Sequence, residues 1–107
     1  MKELSKFEAL ALTDPDVRFG FDNYDVLKQI GGLVREMRVS GGFSQAGLQE
    51  LSGVTQADIS RVESGTMERG PSLLTLVRLA HAAGKRLVIG IEDEEGEDKK
   101  STRILAI

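Results

Sequence analysis

Between residues 24 and 84 the chain is interrupted by glycine at short intervals, which limits any helix there to a few turns. Gly41-Gly42, Gly53, Gly65 and Gly84 each follow a stretch of helical apolar spacing, and Ser44, Thr55 or Ser72 precedes the next one. A hydroxyl oxygen in that place accepts from an unserved N–H at a helix start, and glycine adopts the left-handed angles that end a helix. The pattern predicts helices over 24–40, 45–52, 56–63 and 73–83. Their inward stripes are Val26, Leu27, Ile30, Leu33, Val34 and Met37; Ala46, Leu48 and Leu51; Ile59 and Val62; and Leu73, Leu76, Val77, Ala80 and Ala83. Gly31 and Gly32 sit inside the first of these, where each costs about 1 kcal/mol relative to Ala, so the pair implies close packing or a bend.

The flanks read differently. Leu4, Phe7, Leu10 and Ala11 predict a short amphipathic helix ending near Thr13. Asp14 followed by Pro15 reads as an N-cap and first position of a further turn through Val17 and Phe21, ended by Gly20. After Gly84 the period drops to two: Leu87, Ile89 and Ile91 alternate with Val88, Gly90 and Glu92, as in a strand. No second convincing strand is visible, and a strand does not stand alone. Leu87, Val88, Ile89 and Ile91 are therefore expected to pair with a second copy of the chain. The expected architecture is an all-α bundle of about five helices with one C-terminal strand. It divides into a helical extension over 1–25, a central domain over 26–84, a dimerisation strand over 85–92 and an acidic, then mixed, tail over 93–107.

Composition narrows the function. With 107 residues there is room for one domain. The absence of Cys removes disulfides, thiolate nucleophiles and Cys-ligated metals, and a lone His81 reads as a helix-surface or packing residue. No nucleophile and base pair, metal cluster or phosphate loop appears, so an enzyme is not expected, and neither is a cofactor. Asp93, Glu95 and Glu97 alternate like calcium ligands, but Gly96 falls at the fourth loop position instead of the sixth. No apolar run suits a membrane span or a signal peptide, and a cytoplasmic location is the default reading.

The formal net charge of −3 hides its distribution. Residues 1–25 carry −3, residues 26–90 carry +3 and residues 91–107 carry −3. A basic centre between acidic ends suits a nucleic-acid surface with protein-facing flanks.

Two short helices joined by a glycine turn are the geometry whose second helix enters the DNA major groove. The run Phe43-Ser44-Gln45-Ala46-Gly47-Leu48-Gln49-Glu50-Leu51-Ser52-Gly53-Val54-Thr55-Gln56-Ala57-Asp58-Ile59-Ser60-Arg61-Val62-Glu63-Ser64-Gly65, with Pro71-Ser72-Leu73 in register after it, resembles the helix-turn-helix of the XRE family, the lambda-repressor-like or Cro/cI type. The resemblance covers residues 33–84. It implies double-stranded operator DNA as partner, with Thr55, Gln56, Ala57, Ser60 and Arg61 facing the groove and Gln45, Thr66 and Arg69 on phosphates. It also implies a structural ion pair between Arg38 and Glu63, while Asp58 reads as a capping residue. Two positions depart from the pattern. Family members usually carry a small Ala where this chain has Gln49, and a helix former where it has Gly47, which implies wider packing between the two helices.

The flanks carry a second resemblance. Lys85-Arg86-Leu87-Val88-Ile89-Gly90-Ile91 is similar to the C-terminal strand of HigA-type and HipB-type antitoxins, and Thr13-Asp14-Pro15-Asp16-Val17-Arg18-Phe19 to the opening of HigA-like ones. This implies a homodimer that represses its own operon and neutralises a basic, RNA-cleaving toxin of the RelE fold, as in HigBA-like modules. A transcriptional repressor without a toxin and a protein-interaction module without DNA binding are the competing readings.

Overall fold

The computed structural model describes residue 9, residues 13–93 and residues 101–107. The helix expected from Leu4 to Thr13 and the acidic run over 94–98 lie outside the described residues.

Among the described residues the order is α1 (Pro15–Asp22), α2 (Tyr24–Ser40), α3 (Gln45–Ser52), α4 (Gln56–Ser64), α5 (Leu73–Ala82), β1 (Val88–Glu92) and β2 (Ser101–Ala106). The caps fall where side-chain chemistry puts them. Asp14 Oδ1 accepts from the Asp16 and Val17 N–H groups at 2.9 and 3.4 Å. Ser44, Thr55 and Ser72 accept from the N–H groups of Gly47, Asp58 and Thr75 at 2.9, 3.1 and 3.1 Å. Gly53 ends α3 with φ 75°, a left-handed angle that a Cβ would strain. Gly20 does not end α1, as its place in the sequence suggested. The helix runs on to Asp22, and Gly20 is buried because α1 lies against the loop after α4. A Cβ at Gly20 would stand 3.0 Å from the Glu68 carbonyl oxygen.

The core is built from Val34, Leu48, Val54, Ile59, Val62 and Leu79, with Met37, Met67, Leu76 and Ala82 packed around it. Helix α2 crosses α4, and Gly31 makes the crossing possible. A Cβ there would lie 2.4 Å from the Val62 carbonyl oxygen and 2.5 Å from that of Glu63. Gly32 meets nothing within 4 Å among the described residues, so of the glycine pair it is Gly31 that the packing requires. The buried stripes are narrower than the spacing predicts: Val26, Leu33, Leu51 and Leu73 are all about half exposed or more, and Ala46 is exposed as well. In α5 the fully buried residue is Leu79, off the expected stripe, while Ala83 forms the C-cap.

The C-terminal strand finds a partner in its own chain. β1 pairs antiparallel with β2, with Val88 opposite Ala106, Ile89 opposite Leu105 and Ile91 opposite Arg103, and an irregularity between Ile91 and Glu92. Leu87 and Ile107 exchange backbone hydrogen bonds of 2.9 and 2.7 Å beyond the strands. The expectation of a single strand, with tail only beyond residue 92, is corrected: residues 101–106 form the second strand. The apolar signal of that strand is short, because Ser101, Thr102 and Arg103 precede Ile104 and Leu105.

Candidate nucleic-acid interface

Helices α3 and α4 are set against each other by what they bury. Leu48 contributes from α3, Ile59 and Val62 from α4, and Val54 anchors the turn between them. Because Ile59 and Val62 turn inward, Gln56, Ala57, Ser60 and Arg61 are left exposed on α4, with Thr55 exposed at its cap. These are the five residues expected to face a groove, and the fold brings them together on one solvent-facing surface.

The C-terminal end of α4 is held by charge. Arg38 Nε and one terminal nitrogen donate to the two Glu63 carboxylate oxygens at 2.7 and 2.9 Å, and the other terminal nitrogen donates to the Phe43 carbonyl at 2.9 Å. The two side chains are only 13% and 5% exposed, so this forked pair is a scaffold element, as expected. Its hydrogen bond to Glu63, reinforced by the charge of that carboxylate, raises the Arg38 pKa above its already high ordinary value, against the opposing effect of burial. Gln45 leans the same way: its Nε2 lies 3.5 Å from Glu63 Oε1. At the head of α3, Gln45 therefore has a protein partner already.

Three other residues have protein partners. Arg61 pairs with Asp58 one turn earlier on α4, so Asp58 acts as a counter-ion on the exposed face, while capping falls to Thr55. Thr66 Oγ1 lies 2.7 Å from Ser64 Oγ. Arg69, expected on a phosphate, donates to Asp16 of α1 at 2.8 Å, and this hydrogen bond raises its pKa. The exposed Arg69–Asp16 pair joins residues 53 apart in the chain, and the sequence carried no signal for it.

A further residue was visible only as an oddity. Gln49 links the two helices. Its Oε1 accepts from the Gln56 backbone N–H at 2.7 Å, and its backbone carbonyl accepts from Gly53 N–H at 2.8 Å. At Gly47 an added Cβ would lie 3.2 Å from Ser44 Oγ, so the glycine leaves room for the cap.

A helix pair of this kind, capped at both starts, joined by a left-handed glycine and presenting a polar second helix, defines a DNA-binding domain. The helix-turn-helix family matches residues 34–89, more than half of the chain, and the chain belongs to that family, in its XRE-like branch; it is a DNA-binding transcriptional regulator. Among solved structures it is similar to the restriction-modification controller protein C.AhdI from Aeromonas hydrophila, with 36% identity and a TM-score of 0.55 over 60% of this chain and 90% of that one. No curated protein matches. Among the described residues no helix is long and apolar enough to cross a membrane.

Proposed function

We propose that the protein binds a specific operator as a homodimer and controls transcription from it. The observation that carries this is the division of α4 into a face buried through Ile59 and Val62 and an exposed surface that carries Gln56, Ala57, Ser60 and Arg61. In a major groove Gln56 would pair with adenine and Arg61 with guanine, exchanging Asp58 for the base edge, and the Ala57 methyl would meet thymine. Gln45, Thr66 and Arg69 would hold phosphates.

The dimer is supported by apolar groups exposed between α2 and β1. Leu33 of α2, 64% exposed, shares a shallow groove with Met37, Leu87 and Val88, and Val88 and Ile91 of β1 are exposed too. Among the described residues β1 is paired on one side only, and two strands alone are marginal in water, so the other edge of β1 is the place for a second copy. Two recognition helices would then meet half-sites about 34 Å apart.

Selection from a randomised duplex pool, followed by anisotropy titration, tests the reading. An operator with two half-sites should emerge, and Gln56→Ala or Arg61→Ala should lower discrimination at one base pair each by about 1–3 kcal/mol. A pool that returns without sequence preference would overturn it.

A second reading, antitoxin of a HigBA-like module, has one observation in its favour. The acidic N-terminal region exposes Phe19, Phe21 and Tyr24, and a cavity of about 570 Å³ lined by Phe21, Tyr24, Asp22, Asp25 and Glu68 opens beside it. Acidic groups around aromatic ones suit a basic protein partner such as a RelE-fold toxin. Tagging the chain in its native operon decides: a stoichiometric basic ribonuclease, silenced in the complex, makes it an antitoxin, whereas a chain recovered alone that still shifts its promoter is a stand-alone regulator.

A further inference from the structure

We infer that Gln49 is a positioning residue for sequence reading, through the backbone of Gln56. Gln56 opens α4, so its N–H has no acceptor within the helix. The cap does not serve it: the Thr55 side chain accepts from Asp58 N–H and the Thr55 carbonyl from Ile59 N–H. The acceptor comes from the other helix, seven residues back, as Gln49 Oε1 at 2.7 Å.

Gln49 thereby holds the turn at both ends. Its backbone carbonyl takes the Gly53 N–H at 2.8 Å, and its side chain takes the Gln56 N–H. The turn over residues 53–55 is closed between two bonds to one residue, and Val54 is buried beneath it. An alanine would keep the first bond and lose the second. Gln56 would then start α4 with its backbone less tightly held, and its side chain would approach a base edge from a wider range of directions. Holding that backbone before DNA arrives removes an ordering cost that only the specific complex recovers, because contacts to phosphates elsewhere do not depend on the Gln56 side chain.

This rests on the reading that Gln56 contacts a base, and the test separates the two. Affinities are measured for the selected operator, for operators with single base-pair changes and for an unrelated duplex, using the full chain and the variants Gln49→Met, Gln49→Glu, Gln56→Ala and Gln49→Met with Gln56→Ala. Methionine keeps the length and apolar stem of the side chain without an acceptor, and thermal melting checks that each variant folds. Gln49→Met should lower the ratio of specific to unrelated binding by about tenfold, the size of one lost hydrogen bond. The loss should be confined to the base pair that Gln56→Ala also relaxes. Gln49→Glu, which restores an acceptor, should recover the ratio while its charge weakens binding to every duplex. In the double variant Gln49→Met should add nothing. Equal weakening on all duplexes, or a loss additive with Gln56→Ala, overturns the inference while leaving Gln56 as a base reader. Unchanged discrimination in Gln56→Ala removes the base-reading role and the inference with it.

Discussion

Two adjacent glycines in α2 illustrate how far one residue's surroundings decide its cost. Gly31 faces the carbonyls of Val62 and Glu63 at distances no Cβ tolerates, and those carbonyls belong to backbone that cannot step aside. Gly31→Ala is expected to destabilise the fold by about 2–3 kcal/mol through overpacking of the α2–α4 crossing. Gly32 faces open space, so Gly32→Ala should stabilise by about 0.5–1 kcal/mol, by helix propensity and reduced freedom of the unfolded chain. Urea unfolding followed by circular dichroism measures both, and equal effects from the two would contradict the geometry. Glu63 poses a comparable case in charge. Glu63→Ala leaves the largely buried Arg38 guanidinium without its carboxylate and should cost about 3 kcal/mol in the same assay.

At the scale of elements, α1 and the loop after α4 behave as a unit. Gly20 packs on the Glu68 backbone, and Asp16 holds Arg69. In the free protein Asp16 occupies the guanidinium that a phosphate would take. Asp16→Asn should therefore tighten binding to every duplex alike and steepen the dependence of log affinity on log salt by up to about 0.9, one phosphate contact's worth. Arg69→Ala should weaken binding uniformly and make the slope shallower by a similar amount. Anisotropy titrations at several KCl concentrations check both, and a sequence-dependent effect from either variant would remove Arg69 from the phosphate role.

For the whole molecule, the expected consequence of a half-paired β1 and the apolar groups of Leu33, Leu87 and Val88 is association. The chain should sediment as a dimer at micromolar concentration, and Val88→Lys with Ile91→Lys, which place charge on exposed strand positions, should yield a folded monomer. That monomer should bind a single half-site as before and lose affinity for the paired operator. A wild-type monomer in the ultracentrifuge would overturn the dimer and with it the two-half-site geometry.

What was legible in the chain was whatever depends on neighbours a few residues away. Asp14, Ser44, Thr55 and Ser72 announced helix starts because each cap is a bond between a side chain and an N–H two or three residues on. The bounds of α2, the turn at Gly53 and the exposed polar row on α4 followed from the same local rules, and the Arg38–Glu63 pair from resemblance to a motif. The exposure of Leu33 and Leu51, the burial of Gly20 and the hold of Asp16 on Arg69 depended on which surfaces meet. So did the pairing of residues 88–92 with 101–106, where modest alternation gains its meaning only from the strand opposite. Gln49 stands between the two cases. Its oddness was plain in the motif, but its role required the distance between two helices, because an amide at that position is a packing error or a hydrogen bond depending on where the Gln56 N–H lies.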